Sequence, residues 1–495
     1  MRAQRNALLC FAAVATLTVA LVGGAFAQKA FSRASSSNVG ASGPRGPSGG
    51  GGGYYGGGGY YGGGGWGVPG VLMGIPQMYP PGGGQYVDDG GFDGGPQRAA
   101  RRGSSGAPPA NERRLVPDEV VIEISNSVNA QQIDALQRRH RLTRVESQTF
   151  QLSGTTLFRW HIADRRSVAA VVHELEVERV VANVQPNYLF TIQQSEAKAA
   201  SEGDPAQYEL VKLRLPQAHS LAKGNGVLVA VIDSGVDANH PELAGALAET
   251  FDTLSSPMTP HKHGTAIAGL IAAHGKLMGA APGARILAVR AFNPKDSGAD
   301  GTTFNILKGL DWAAAHGARV INMSFAGPAD PAIHRSLEAA RKKGIVLVAA
   351  AGNAGAKSPP LYPAADPNVI AVSATDADDK LFEQSNRGRY IAVAAPGAKI
   401  LVAIPDGGYE VSSGTSYSAA EVSGIVALML ERKGDLTPDK VRGILLATAK
   451  NLGAKGRDNE FGAGLADAYG ALMAEDTPMT ASTPRPVERT SAGAR

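Results

Sequence analysis

The sequence predicts an α/β protein: a mostly parallel sheet covered by helices on both faces, preceded by a small α+β domain of split βαβ (ferredoxin-like) type. Three observations carry this. Short, continuous apolar runs recur from Val227 onward, each bounded by loops, as strands buried on both faces require. Helical stretches alternate with those runs. Ahead of them, residues 116–192 read as strand, helix, two strands, helix and strand.

In the small domain, Glu119–Ile124 reads as a strand and Ala130–Leu142 as a helix with Ile133, Leu136 and His140 on one side. Val145–Leu152 and Leu157–Ile162 form a hairpin around Ser153-Gly154. A second helix follows Ser167, a good N-cap, with Val168, Val171, Val172 and Leu175 at i, i+3, i+4 and i+7. The last strand covers part of Val180–Ile192, and the polar stretch Gln193–Asp204 reads as a linker.

In the larger domain the strands are Val227–Ile232, Ile286–Val289, Val320–Met323, Ile345–Ala350, Val369–Val372 and Ile391–Ala394. Helices are expected at Gly264–Ala273, Thr303–Ala315, Ala332–Lys343, Thr415–Glu431 and Asp435–Ala449. The last has Thr437 as N-cap and Pro438 at its first helical position.

Outside these domains the composition changes. Arg2 and Arg5 precede an apolar stretch from Ala7 to Val22, and Ala25-Phe26-Ala27 follows, the pattern of an export signal removed after Ala27. That stretch is about 16 residues, short of the roughly 20 that span a bilayer. The single cysteine, Cys10, lies within it, so the processed chain has neither disulfide nor thiol nucleophile. Residues 28–115 are rich in Gly, Tyr and Pro, with pairs at Tyr54-Tyr55 and Tyr60-Tyr61. They bury too little apolar surface to fold, and the segment reads as disordered, as does the tail 475–495. Lys+Arg 48 against Asp+Glu 44 leaves +4 without a dominant basic run, which gives no reason to expect nucleic acid as a partner.

Four residues stand where chemistry is done. Asp233 ends the run Val-Leu-Val-Ala-Val-Ile-Asp, at the carboxyl end of a strand, where an acid can orient an imidazole; a turn aspartate before Gly235 is the plainer reading. His263 opens a small-residue helix, and Gly264 after it leaves room for a substrate backbone. His261 and His263 could both reach one metal ion, but no Asp, Glu or His stands at helical spacing downstream to complete a shell. Ser416 lies at the head of a helix buried by Val422, Ile425, Val426 and Met429. There the oriented N–H groups favour developing negative charge, although Thr415 or Ser416 could simply cap the helix. Asn353 ends another strand and offers an amide donor; an Asn in a glycine-flanked turn is the alternative.

The order Asp, His, Asn, Ser decides among these readings. The sequence resembles the subtilases, the subtilisin-like serine peptidases, from about Gln207 to Leu472. The resemblance runs through Val231-Ile-Asp-Ser-Gly-Val-Asp237, His240-Pro-Glu-Leu243, His263-Gly-Thr265, Val320-Ile-Asn-Met-Ser324 and Ala349-Ala-Ala-Gly-Asn353. It continues with Tyr362-Pro-Ala364, Ala395-Pro-Gly397, Ser413-Gly-Thr-Ser416 and Gly462-Ala-Gly464. It implies an Asp233–His263–Ser416 triad, an oxyanion donor in Asn353, and a substrate-pairing strand at Ser324, Phe325, Ala326 and Gly327. Leu361 then stands at the floor of the primary specificity pocket, where the family often has glycine; the alternative is that it points into the core. The implied enzyme is a monomer that cuts proteins or peptides. It is exported, secreted or held in the periplasm or at the surface, and residues 116–192 resemble the family's inhibitory prodomain.

The family usually has Met and Ala after the serine and Pro-His before Val; here stand Tyr417, Ser418, Ala420 and Glu421. The stretch between Ala272 and Pro282 is shorter than the family's calcium loop and lacks its asparagines, so no cofactor is expected, with calcium the one candidate. Two rivals remain: a catalytically silent module that keeps the fold, and a surface protein that works through its Gly/Tyr segment.

Overall fold

The computed structural model describes residues 105–192 and 207–474, apart from 126, 255, 258, 296 and 297; the signal, most of the Gly/Tyr-rich stretch, the linker and the tail lie outside the described residues. The small domain runs β1 (Leu115–Ile124), α1 (Ala130–Arg139), β2 (Leu142–Phe150), β3 (Thr155–Ile162), α2 (Val168–Leu175) and β4 (Val181–Ile192). Its strands pair antiparallel in the order β2-β3-β1-β4, the split βαβ pattern. Helix α1 opens on a reciprocal capping box between Asn129 and Gln132. It ends three residues earlier than expected, because Arg141 turns left-handed (φ 53°) to start β2. Ser167 caps α2 as predicted, and all four of its apolar residues are buried. Contacts begin upstream of the expected boundary, within the stretch read as linker: the Ser105 hydroxyl and Gly106 N–H both donate to Glu176.

The larger domain begins with α3 (Tyr208–Lys212), α4 (Leu215–His219) and β5 (Leu228–Asp233). After a 3-10 turn at Pro241–Leu243 come β6 (Leu247–Asp252), α5 (Lys262–Ala272), β7 (Arg285–Arg290), β8 (Phe292–Lys295) and β9 (Gly298–Thr302). Then follow α6 (Thr303–Ala315), β10 (Val320–Met323), α7 (Pro331–Lys342), β11 (Val346–Ala350), β12 (Ile370–Thr375) and β13 (Ile391–Pro396). The domain closes with β14 (Ile400–Ile404), β15 (Gly408–Ser412), α8 (Thr415–Arg432), α9 (Pro438–Thr448) and α10 (Ala468–Ala474). Seven strands form one parallel sheet in the order β13-β12-β11-β10-β5-β7-β6. The strand order reverses beside β5, which makes the carboxyl end of β5 and β10 the expected place for a site.

Alternate residues of the central strands face opposite layers. Val229, Val231, Val320 and Val348 pack against α5, α8, α9 and α10, while Ala230, Ile232, Ile321 and Leu347 pack against α6 and α7. Helix α8, expected to be buried by Val422, Ile425, Val426 and Met429, is buried on every side from Thr415 to Leu430. Among the described residues no helix is long and apolar enough to cross a membrane.

The two domains share a core. Helices α1 and α2 cover one face of the small sheet. Its other face, with Val121, Phe150, Leu157 and Tyr188, joins the layer around Phe304. Strand β4 also caps two helices of the larger domain. The Phe304 N–H donates to Asn187 at the head of α6, and Gln185 binds Asp330, the N-cap of α7. Beyond these contacts β4 pairs antiparallel with β9, so β8 and β9 extend the small sheet to six strands.

Candidate active site

Asp233 ends β5 and His263 is the second residue of α5; each is only 1% exposed. His263 Nδ1 lies 2.9 Å from both carboxylate oxygens of Asp233. The same carboxylate accepts from the Ser234 N–H (2.7 Å) and hydroxyl (2.9 Å). A carboxylate can only accept, so the proton sits on Nδ1 and Nε2 is left as an acceptor. That Nε2 is buried with no hydrogen-bond partner among the described residues.

Gly264 serves a different purpose from the one its sequence suggested. A Cβ there would stand 2.2 Å from the Gly235 carbonyl oxygen, so the glycine admits the chain's own loop after β5 and not a substrate.

Ser416 is the second residue of α8, an 18-residue helix whose first N–H groups have no intrahelical acceptor. Its hydroxyl donates to the Ser324 carbonyl (3.3 Å), and Ser324 Oγ donates back to the Ser416 carbonyl (3.2 Å). Ser324 is held in turn by Asn322, and Asn322 by Ser423. This buried chain locks β10 to α8 and fixes the serine relative to the sheet. The ring of Tyr417, next to the serine, stands 6.3 Å from the His263 ring, so the head of α8 lies beside the start of α5.

Asn353 follows β11. Its Oδ1 accepts from the N–H (3.0 Å) and hydroxyl (2.9 Å) of Thr415, which turns Nδ2 toward Gly414. A Cβ at position 414 would stand 3.2 Å from that nitrogen, so the glycine before the helix leaves room for the amide.

A cavity of about 10 Å³ is lined by Ser324, Gly352, Asn353, Thr415 and Ser416 together with Thr191, Phe325, Ala326 and Ala350. Leu361 is 7% exposed, and its Cδ1 lies 3.1 Å from where a Gly352 Cβ would be, so it packs behind one wall of the cavity. Ala326 exchanges both backbone hydrogen bonds with Thr191 of β4 (2.9 and 3.1 Å), while Gly327 does the same with Tyr362 (2.8 and 3.1 Å). Phe190 lies edge-on to Phe325 at 6.0 Å, over Gly327, where any side chain would collide with its ring. The last strand of the small domain therefore already occupies the edge read as the substrate strand.

Among the described residues no group of three or more His, Cys, Asp or Glu side chains gathers around one point. The short loop after α5 is held by a carboxylate: Glu242 accepts from the N–H groups of Gly275, Lys276 and Leu277 and from the Tyr409 hydroxyl. Burial alone would raise Glu242, but Tyr409 and those N–H groups outweigh it and keep its carboxyl below the usual range.

Two features escaped the sequence reading. His261, paired with His263 only as a metal alternative, places Nδ1 2.7 Å from Ser234 Oγ. Glu421 is 1% exposed in α8, as is Glu209 in α3. Both carboxylate oxygens of Glu209, and Oε2 of Glu421, are buried without a hydrogen-bond partner among the described residues. Burial first, then Glu209, pushes the Glu421 carboxyl well up, and burial takes Glu209 to about 7.

Residues 224–464 match the subtilase family. Thermitase of Thermoactinomyces vulgaris is 36% identical over 269 residues, which are 52% of this chain and 94% of that enzyme. Subtilisin E of Bacillus subtilis (strain 168) is 34% identical over 294 residues, 57% of this chain and 74% of it. Fervidolysin from Fervidobacterium pennivorans superposes with a TM-score of 0.63 over 76% of this chain and 63% of its own, at 24% identity, a likeness of fold. The chain belongs to the subtilase family. As a member it is a subtilisin-like serine endopeptidase acting on proteins.

Proposed function

We propose that the chain hydrolyses peptide bonds through an acyl-enzyme on Ser416, and that it is exported and made as a self-processed zymogen. The observation that carries the catalytic reading is the His263 ring. Its Nδ1 is held by both oxygens of Asp233, its Nε2 is a buried acceptor with no partner among the described residues, and its ring lies 6.3 Å from that of Tyr417, the neighbour of Ser416. Rotation about Ser416 χ1 exchanges the Ser324 carbonyl for that nitrogen when substrate enters. His263 then takes the hydroxyl proton as Oγ attacks the carbonyl carbon, and returns it to the leaving amine. Asp233 holds the tautomer and stabilises the imidazolium. The Asn353 amide and the Ser416 N–H, at the positive end of α8, receive the oxyanion.

The export signal at residues 1–27 and the pairing of Thr191 with Ala326 support the zymogen reading. A strand that fills the substrate edge inhibits until the polar linker behind it is cut. A fluorophosphonate probe tests the catalytic assignment. Labelling of the matured protein should map to Ser416 and vanish in Ser416→Ala, and N-terminal sequencing should find new termini within 193–208 only in the active form. Processing that persists in Ser416→Ala, in a host without other proteases, overturns it.

A further inference from the structure

The carboxylate of Asp233 is held from a second side by a group the triad does not include. Ser234 Oγ is 2.9 Å from Asp233 Oδ1 and 2.7 Å from His261 Nδ1. The serine proton goes to the carboxylate, which can only accept, so Ser234 Oγ must accept from His261 and the proton of that ring lies on Nδ1. The result is a continuous chain, His261 to Ser234 to Asp233, meeting His263 on the far side. His261 is also the N-cap of α5. Its carbonyl accepts from the N–H (3.1 Å) and hydroxyl (2.9 Å) of Thr265, and its own N–H reaches the Gly235 carbonyl (3.4 Å). Thr265 Oγ1 in turn accepts from the Asp237 N–H. One residue thus binds the loop that carries Asp233 to the helix that carries His263.

We infer that His261 is a positioning residue for this reaction: through Ser234 it fixes and partly neutralises the Asp233 carboxylate, and through its backbone it holds α5 in register with β5. This rests on the triad reading above. A donor that polarises the Ser234 hydroxyl strengthens the bond that hydroxyl makes, as in other hydrogen-bonded chains. Asp233 then keeps a fixed orientation with less charge to spend on His263. The ring is half-buried, and the charged groups acting on it are Asp233, His263 and Lys262. Burial, with His263 and Lys262, outweighs Asp233 and lowers its basicity, so His261 works as a neutral donor at neutral pH.

The test compares His261→Leu, which removes the donor, with His261→Asn, whose Nδ2 lies the same number of bonds from Cα. In full-length protein allowed to mature, the Leu variant should lose about tenfold in kcat, because an Asp233 carboxylate no longer pinned through Ser234 holds the His263 ring less firmly in its reacting orientation, with KM little changed. The acid limb of its kcat/KM profile should move up by roughly 0.3–0.5 pH units, because a less neutralised Asp233 favours the His263 imidazolium. The Asn variant should recover both. By proton NMR, the His263 Nδ1–H resonance should shift in Leu and return in Asn. A Leu variant with the wild-type kcat, acid limb and resonance overturns the inference. So do equal losses in Leu and Asn, which would mark a packing role only. Failure of the triad reading shows separately, as a wild-type protein that neither cleaves protein nor labels at Ser416; the resonance comparison still decides the role of His261.

Discussion

Replacing Glu209 by Gln should make the protein more stable at alkaline pH, and the size of the gain follows from where the carboxyl lies. Glu209 and Glu421 are buried together under α3 and α8 with three unpartnered oxygens between them. The nearby cations are spent elsewhere: Lys212 on Asp379 and Arg214 on Asp467. Burial holds the Glu209 proton from the ordinary 4.5 up to about 7. Between those values the folded chain binds more protons than the unfolded one, so stability is complete below 4.5 and is lost as pH rises through about 7. The loss is roughly 3 kcal/mol. Gln keeps the shape without the ionisation, and at this domain size the gain corresponds to a Tm roughly 6–12 °C higher at pH 8, with little difference at pH 4.5. Thermal unfolding followed by circular dichroism, in a Ser416→Ala background that prevents self-digestion, measures this. Parallel Tm curves across pH 4–9 for chains with and without Glu209→Gln would refute it.

Other substitutions test the site. Asn353→Leu should lower kcat by about 10²–10³ with little change in KM, the magnitude known for loss of the oxyanion-hole asparagine in subtilisin. Adding the isolated small domain should inhibit the matured enzyme. Phe190→Ala, which empties the space over Phe325 and Gly327, should weaken that inhibition by about 3 kcal/mol, or roughly 100-fold. Leu361→Gly should deepen the cavity behind Gly352 and raise the preference for Phe over Ala at the scissile residue by about tenfold in kcat/KM. An unchanged ratio with lost stability would mean that Leu361 serves the core alone. Activity and Tm should respond only weakly to EDTA, since Glu242 accepts from the N–H groups of the loop after α5; a large loss restored by calcium would refute this and point to a calcium site.

By itself the sequence determined the buried strands, the long helices and the residues at their ends. Those depend on local pattern: β5, β10 and β11 are apolar runs, broken within β10 only by Asn322, and Asp233, Ser324 and Asn353 stand at or just beyond their carboxyl ends. Ser167 and Thr437 capped their helices as read. Tertiary structure decided the rest, because partners far along the chain supplied what the local sequence lacked. Strands β8 and β9 contain Asn, Pro, Asp and Gly and exist because β4 lends them an edge. Gly264 reads in the sequence as space for a substrate, whereas in the fold the Gly235 carbonyl fills that space. His261 and Ser234 are 27 residues apart, and Glu209 and Glu421 lie in helices far apart along the chain, near the start and toward the end of the domain's sequence. A hydrogen bond or a shared proton needs atoms within a few ångströms, and only the packing of β5 against α5, and of α3 against α8, provides that closeness.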